Sequence, residues 1–566
     1  MGTRSQRLLR SRYAAAVVAG LFLAAAFPKL GLAGLAWVAP GLMAAAALGQ
    51  GLGDRFRLGY VAGLVYALLA YYWLLLIPYR WLGLPLAPAL GWIGLAAYLA
   101  LYPALWVCAL FLFPLRPGTA LSGSAEPGSR LEVPRSWLGR QAWCLYGAAA
   151  WVALEIGVSH LFTGMPWNLL GVSQYQLLPL IQVASVTGVY GVSFIVVWVS
   201  LALLSAALQV LRRPTTRSVW VGELIVPFLA LAVLFNHGLR QLREEQPAAP
   251  RRVRLALVQP SIPQTLIWDS TQDRARFQEL LRLSEQALTN DVDVLIWPEA
   301  AVPSLLRYHQ ETYDAVMDLA RRHKVWMIIG ADDAERRPDP RPGAEADFYN
   351  SSFLISPEGT LENRYRKRNL VIFGEYVPLT RWLPFLAWFT PVQGGFTPGD
   401  RPVPFRMPNL RVQTAVLICF EDIFPSLVRE YVEPETDFLV NLTNNGWFGE
   451  SAAQWQHAAA AVFRAVENRR PLIRSANNGL SCWVDERGRL RQVFRTASGS
   501  IYGPGWMEVE LPVPEDIHQR PPTFYRQHGD LFAWACLVAV GLLLAAQTAR
   551  AIRKRRRPSG LSGAPI

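Results

Sequence analysis

The chain has 566 residues, of which 52% are hydrophobic and only 17% charged, with 21 Trp and a formal net charge of +13. That basic excess does not point to nucleic acid, because the Lys and Arg sit in short clusters beside apolar runs and are nowhere interleaved with aromatics as a nucleic-acid groove requires. The composition fits a protein that spends much of its length in lipid, and the length allows several domains.

In chain order, apolar runs near the ~20 residues of a spanning helix occupy 13–27, 30–48, 60–77, 90–115, 143–158, 190–210 and 219–235, and an eighth follows far downstream at 531–548. Only "PKLG" separates the first two, where Pro28 and Gly31 favour a tight turn between two helices. Arg4, Arg7, Arg10 and Arg12 ahead of the first run give it the outline of a secretory signal peptide. Further runs follow at once, so an uncleaved first helix is expected. Eight spans place both termini on one side. Alternate loops hold Arg4 to Arg12, then Arg55 and Arg57, then Arg116, Arg130, Arg135 and Arg140, then Arg212, Arg213 and Arg217, then the basic tail after Arg550. The intervening short loops hold only Lys29 and Arg80, and 159–182 contains no Lys or Arg. The positive-inside rule therefore predicts cytoplasmic termini and an extracytoplasmic segment between the seventh and eighth runs. The expected domains are a membrane bundle at 1–240, a soluble domain at 252–515, a last spanning helix at 530–550 and a cytoplasmic tail at 551–566.

From Arg252 the sequence changes character. Apolar strands at 253–260, 293–299, 325–333, 351–359, 412–421, 437–445, 471–475 and 481–485 alternate with amphipathic helices at 274–288, 313–323 and 455–469. Such alternation predicts an α/β domain with a helix-covered sheet. Five cysteines are present; Cys108, Cys144 and Cys536 fall in apolar runs, whereas Cys419 and Cys482 lie in the outer segment, where a disulfide is one reading. Seven scattered His show no ligand spacing, so no metal site is expected. Three polar groups sit where strands end: Glu299 after "LIWP", Lys367 in "NRYRKRNLVIFGEYVP" and Cys419 after "AVLI". Strand carboxyl ends are where α/β sheets place ligands. A thiol there needs a base and a nearby positive charge to attack a carbonyl, and Glu299 and Lys367 supply those types.

"WPEA" (297–300), "YRKRNLVIFGEYVP" (365–378) and "CFED" (419–422) together resemble the Glu-Lys-Cys triad of the nitrilase superfamily. With "NLTNNGWFGE" (441–450), "FRAVENRRPLIRSANNG" (463–479) and the apolar runs around them, the whole chain resembles the apolipoprotein N-acyltransferase family of the bacterial inner membrane. The resemblance implies an extracytoplasmic αββα sandwich and a Cys419 nucleophile, Glu299 base and Lys367 oxyanion stabiliser. It implies acyl transfer from a phospholipid, typically the sn-1 chain of phosphatidylethanolamine, through a thioester to the α-amine of a diacylglyceryl-cysteine at a lipoprotein N-terminus. No cofactor is implied, and a monomer is expected. Glu375 and Glu421 match supporting acids, Trp268 a residue near the site entrance, and Asn350 a further contact. Phe420 stands where the family often has Tyr, Asn445 where an acid is common and Ile372 where Pro is usual.

The stretch "LTRWLPFLAWFTPVQGGF" after "FGEYVP" is unusually apolar for a soluble-domain loop. Its Trp382 and Trp388 suggest an amphipathic lid dipping into the membrane interface. The uncharged loop 163–174 reads as a second membrane-level contact, with Trp167 on the lipid path, and Glu155 as a helix cap. A membrane-anchored amidase or nitrilase would share the triad, but one helix would anchor it. A catalytically inactive lipid-binding module would have no reason to keep all three catalytic types.

Overall fold

A computed structural model describes residues 3–79, 84–113, 133–212, 220–243, 251–267, 269–341, 344–379, 382–383, 395–515 and 521–556. Trp268, Trp388 and nearly all of the expected lid at 384–394 lie outside these residues.

Seven of the apolar runs are long single helices or near-continuous ones: Thr3–Ala26, Leu52–Ala70, Leu86–Leu110, Trp137–His160, Val189–Arg212, Val221–Arg243 and Leu531–Arg556. The run at 30–48 differs, being a short 3-10 turn, Ala33–Trp37, followed by a nine-residue helix, Ala39–Ala47. Pro40 opens that helix in its first turn, where a missing N–H costs nothing. Five helices are long and apolar enough to cross a membrane by length and composition: Leu86–Leu110, Trp137–Thr163, Val189–Arg212, Val221–Arg243 and Leu531–Ala549.

The soluble domain is two six-stranded sheets. The strands are β1 (Arg251–Gln259), β2 (Val294–Ile296), β3 (Trp326–Arg341), β4 (Ala344–Ile355), β5 (Leu361–Arg366), β6 (Pro404–Met407), β7 (Val412–Ile418), β8 (Phe438–Thr443), β9 (Leu472–Ala476), β10 (Cys482–Val484), β11 (Leu490–Val493) and β12 (Gly505–Val513). One sheet runs β12-β1-β2-β3-β4-β5 and the other β11-β10-β9-β8-β7-β6. In each, two successive parallel pairs (β1/β2/β3 and β7/β8/β9) sit between antiparallel ones, so both halves of the domain repeat one pairing scheme.

Period-two alternation explains the layering. On β1, Leu255 and Leu257 face the second sheet, while Ala256 and Val258 face the helices Asp273–Ala287 and Gln310–His323. On the far side the helix Ala453–Asn468 is buried on every face, wedged between the second sheet and the membrane helices. This is the expected αββα arrangement. Strand β7 stops at Ile418, short of the predicted end at 421, because Cys419 takes a positive φ of 53° and opens a 3-10 turn. The sequence reading missed β5, β6, β11 and β12.

The seam between the two parts is polar at one point. The Gln456 amide oxygen accepts from the indoles of Trp73 (3.1 Å) and Trp167 (3.0 Å), and its nitrogen donates to the carbonyls of Pro28 (2.9 Å) and Ala70 (3.2 Å). One buried amide thus joins the ends of three membrane segments to the innermost helix of the soluble domain. Gln456→Ala leaves four buried polar groups without this partner and should lower stability by about 1–3 kcal/mol. A thermal unfolding series in detergent checks this; an unchanged midpoint would mean the seam is held elsewhere.

Candidate active site

Three polar side chains reach one end of the first sheet on its inner face. Glu299 leaves the chain just past β2, Asn350 lies on β4, and Lys367 directly follows β5. Lys367 Nζ donates to Glu299 Oε1 at 3.2 Å and to Glu375 Oε1 at 2.8 Å. Asn350 Nδ2 donates to the same two oxygens, each at 2.8 Å, so amide and ammonium together bridge the carboxylates. The remaining oxygens are also held: Glu299 Oε2 accepts the Asn444 backbone N–H and Glu375 Oε2 that of Val371, both at 2.8 Å. Lys367 is 1% exposed. Burial works against its charge, yet Glu299 and Glu375 outweigh it and hold the ammonium's pKa above the usual lysine value.

Close approach of backbone makes room for this. At Gly330 on β3 a Cβ would lie 2.3 Å from the Pro298 carbonyl oxygen and 2.7 Å from Glu299 Cα, so only glycine lets the Glu299 segment cross there.

Cys419 is a free thiol, as is Cys482, so no disulfide joins them. Its surroundings are unlike those of an ordinary core cysteine. Burial pushes its pKa up to about 12, Glu299 adds to that, and Lys367 and a hydrogen bond with Thr443 pull the other way. The resting group is therefore a neutral thiol facing a carboxylate that can take its proton and a cation that can stabilise the product. Asn441 Nδ2 donates to the Cys419 carbonyl at 2.7 Å, and Lys367 Nζ lies 5.6 Å from the Phe420 ring centroid. Phe420 presents only its ring face to the lysine, a contact that needs no hydroxyl.

Glu421 does not touch the thiol. Its fully buried carboxylate accepts from the backbone N–H groups of Ile418 (2.7 Å), Arg368 (2.8 Å) and Asn369 (3.1 Å), and from the Tyr365 hydroxyl (2.8 Å). It fastens the residue before Cys419 to the residues just after Lys367, and so positions both. Beneath it lies a group that the sequence reading missed. Arg474 donates to Asp422 Oδ2 (2.7 Å) and to His457 Nδ1 (2.6 Å), which leaves the His457 proton on Nε2, shared with Asp422 Oδ1 (2.6 Å). Burial and the neighbouring Arg474 lower the His457 pKa. Asn445 lies against the same ring at 3.2 Å, so no second carboxylate faces it there.

The tryptophans fare differently. Trp167 is 3% exposed, packed on Trp73 and His457 with centroids at 4.9 and 5.0 Å. The structure thus puts it in the seam between the domains and not on an open lipid surface, because its indole finds the buried Gln456 acceptor. Trp382 is 76% exposed. Glu155 accepts the Leu170 backbone N–H (2.7 Å) and the Trp151 indole (2.9 Å), so it ties down the uncharged loop. Among the described residues no group of His, Cys, Asp and Glu could hold a metal ion.

The charges fix the sign of a pH experiment. Removing the Glu299 charge should lower the Cys419 pKa, and removing the Lys367 charge should raise it. The pH midpoint for alkylation of Cys419 by iodoacetamide, followed by peptide mass, should therefore move down in Glu299→Gln and up in Lys367→Met. Midpoints that stay in place would mean that neither charge acts on the thiol.

The carbon-nitrogen hydrolase family matches residues 254–494, and the apolipoprotein N-acyltransferase N-terminal domain matches residues 19–202. The chain is 34% identical over 541 residues to an apolipoprotein N-acyltransferase of Geobacter metallireducens, covering 95% of each chain. It is 29% identical over 580 residues to that of Chlorobaculum tepidum, covering 97% of this chain and 98% of the relative. Against that of Bradyrhizobium diazoefficiens it is 33% identical over 404 residues, 70% of this chain and 71% of the relative.

Proposed function

The chain belongs to the apolipoprotein N-acyltransferase family, and from that premise we propose that it carries an acyl chain on Cys419 from a phospholipid to a lipoprotein amine. The donor is a phospholipid, with the sn-1 chain of phosphatidylethanolamine as the expected group, and the acceptor is the α-amine of an N-terminal diacylglyceryl-cysteine. The observation that carries this reading is the neutral, buried Cys419 thiol set against the Glu299–Lys367–Glu375 cluster.

In the first half-reaction Glu299 takes the thiol proton as sulfur attacks the ester carbonyl. The Lys367 ammonium stabilises the oxyanion. The C–O bond then breaks, Glu299 returns the proton to the leaving lysophospholipid oxygen, and a thioester remains. In the second half-reaction the acceptor amine attacks that thioester, the C–S bond breaks, and the proton returns to sulfur through Glu299. Glu375 and Asn350 hold Lys367 and Glu299 in place, and Glu421 positions the Cys419 turn. Two bulky lipids served by one nucleophile favour a ping-pong order, with a single copy of the chain sufficient.

The membrane placement has support of its own. Arg12 donates to the carbonyls of Ala46 (2.9 Å) and Leu48 (2.7 Å), so the broken second run returns to the level at which the first apolar run starts. That is what an eight-pass reading requires. The opposite ends, Pro28 and Ala70, meet Gln456 of the soluble domain. The Arg-rich ends and the soluble domain thus lie on opposite sides of the bundle, which by the positive-inside rule supports cytoplasmic termini and a periplasmic catalytic domain in the inner membrane.

Intact-protein mass spectrometry after incubation with phosphatidylethanolamine tests the reading. The wild type should gain one fatty-acyl mass that hydroxylamine removes, and Cys419→Ala should gain none. Glu299→Gln should load about 10²–10⁴-fold more slowly. Lipid consumed without any adduct, and released as free fatty acid, would sink the carrier role.

A further inference from the structure

Asp332 takes no part in the mechanism above, yet it stands at the site. On β3 it is directly opposite Asn350 of β4 in the antiparallel register. Residues so paired point to the same face with their Cβ atoms about 4.5–5.5 Å apart. That face is the inner one. Ile328, two turns of the pleat before Asp332, packs between the sheets, whereas the adjacent Asp333 points the other way, into the guanidinium groups of Arg307, Arg364 and Arg366. Asp332 therefore has the side-chain direction of Asn350, whose amide bridges the Glu299 and Glu375 carboxylates.

The paired positions carry two acceptors on one face of the sheet. Asn350 spends its NH₂ on the two carboxylates, which fixes the amide orientation and turns Oδ1 away from them. That Oδ1 is buried and has no hydrogen-bond partner among the described residues. Among the described residues no hydrogen bond to the Asp332 carboxyl is found either, and burial, Glu299 and Glu375 push its pKa up against the pull of Lys367. Asp332 is half-buried as a residue, with its carboxyl set deep enough for burial to act on it first. An unfilled buried acceptor paired across the strands with a carboxyl suits a ligand that brings several N–H donors and a positive charge.

We propose that Asp332 and Asn350 Oδ1 form the subsite that binds the α-ammonium of the acyl acceptor. The inference rests on the acyl-transfer reading and deepens it by giving the second substrate its polar anchor. An α-ammonium must lose one proton before it can attack. Asp332 takes that proton and its pKa, raised to about 7 by burial and then by Glu299 and Glu375, lies close to the roughly 7.7–8.0 of an α-amine. The neutral amine nitrogen then forms a C–N bond to the thioester carbonyl and the C–S bond breaks. The second proton from nitrogen reaches sulfur through Glu299, and Asp332 releases its own to solvent. Phosphatidylethanolamine carries a primary ammonium as well, but its ester reacts without a proton being taken from that group, so a role of Asp332 in the second half-reaction alone requires that Asp332→Asn still load.

The test separates the two half-reactions in full-length enzyme in detergent. Wild type, Asp332→Asn and Asp332→Glu are first loaded from phosphatidylethanolamine and the thioester is measured by mass. Discharge is then followed against the concentration of a diacylglyceryl-cysteine peptide, with an isostere carrying hydroxyl in place of the α-amine as competitor. The expected result is loading of Asp332→Asn together with an acceptor concentration for half-maximal discharge raised about ten-fold or more, the size of a lost charged hydrogen bond. The preference for amine over the hydroxyl isostere should collapse in Asp332→Asn and return at least in part in Asp332→Glu. An unchanged preference would overturn the subsite, as would equal losses in loading and discharge, which would make Asp332 a scaffold residue. Failure of the wild type itself to load would refute the acyl-carrier reading, and this inference with it.

Discussion

A lysine ammonium held out of water between two carboxylates sets the terms for the rest of this site. An isolated charge in such a place is costly, and breaking a buried pair by removing one member costs about 3–5 kcal/mol. Lys367, Glu299, Glu375 and Asn350 therefore stand or fall together, and they pin the ends of β2 and β5, the middle of β4 and the turn after Val371 to one point. The cluster carries one net negative charge beside a neutral thiol. Were the thiol to ionise to solvent, a second negative charge would have to be accommodated in the same buried volume. Passing the proton to Glu299 leaves the sum unchanged, so in the proposed first step the protein need not reorganise around a new charge.

The same economy of buried polar contacts joins the domain to the bundle. The helix Ala453–Asn468 cannot face water on any side, because the second sheet covers one face and membrane helices the other. Gln456 closes the seam at one end. At the other end Glu467 accepts the Val189 backbone N–H at 2.9 Å, capping the first turn of Val189–Arg212, and pairs with Arg464 at 2.8 Å. Fixing both ends of one helix fixes the height of the second sheet, and hence of Cys419 at the end of β7, relative to the bundle. In the proposed reaction, with both substrates anchored in a bilayer by their acyl chains, that height decides whether their carbonyl and amine can reach the sulfur.

What could be read from the sequence followed burial. Strands β7 and β8 are buried at every residue, and their largely apolar letters betrayed them. Strand β5, "LENRYR", is mostly half-buried and polar, and β11 is a short exposed edge, so neither has an apolar pattern to find. The repeat of one pairing scheme in both halves of the domain left no trace in the letters, because it resides in hydrogen bonds between strands. Glu299, Lys367 and Cys419 were legible as motif letters at strand ends, and Glu375, Glu421 and Asn350 through the family pattern. Asp332 was not, since "ADDA" does not say which aspartate faces inward until the register with β4 is known. Trp167 misled for a related reason. An uncharged loop reads as lipid-facing, but the Gln456 acceptor that buries it lies 289 residues away.

The turn at Cys419 shows how these constraints reach the sulfur. A non-glycine residue at a φ of 53° is strained by roughly 1–2 kcal/mol and persists only where its surroundings over-determine it. Here they do. Glu421 holds the N–H of Ile418 just before the turn, Asn441 holds the carbonyl of Cys419 within it, and neither bond could survive if the chain relaxed into a continued strand. A continued strand would send the Cys419 side chain up or down from the sheet like its neighbours on β7. The left-handed turn instead carries it off the sheet end, toward the carboxylates and lysine of the opposite sheet. Because Glu421 simultaneously grips Arg368 and Asn369, the bond that imposes the strain also sets where Lys367 stands. Thiol and cation are thus placed by one carboxylate that touches neither the sulfur nor the ammonium, and in the proposed reaction their mutual geometry is fixed before either lipid arrives.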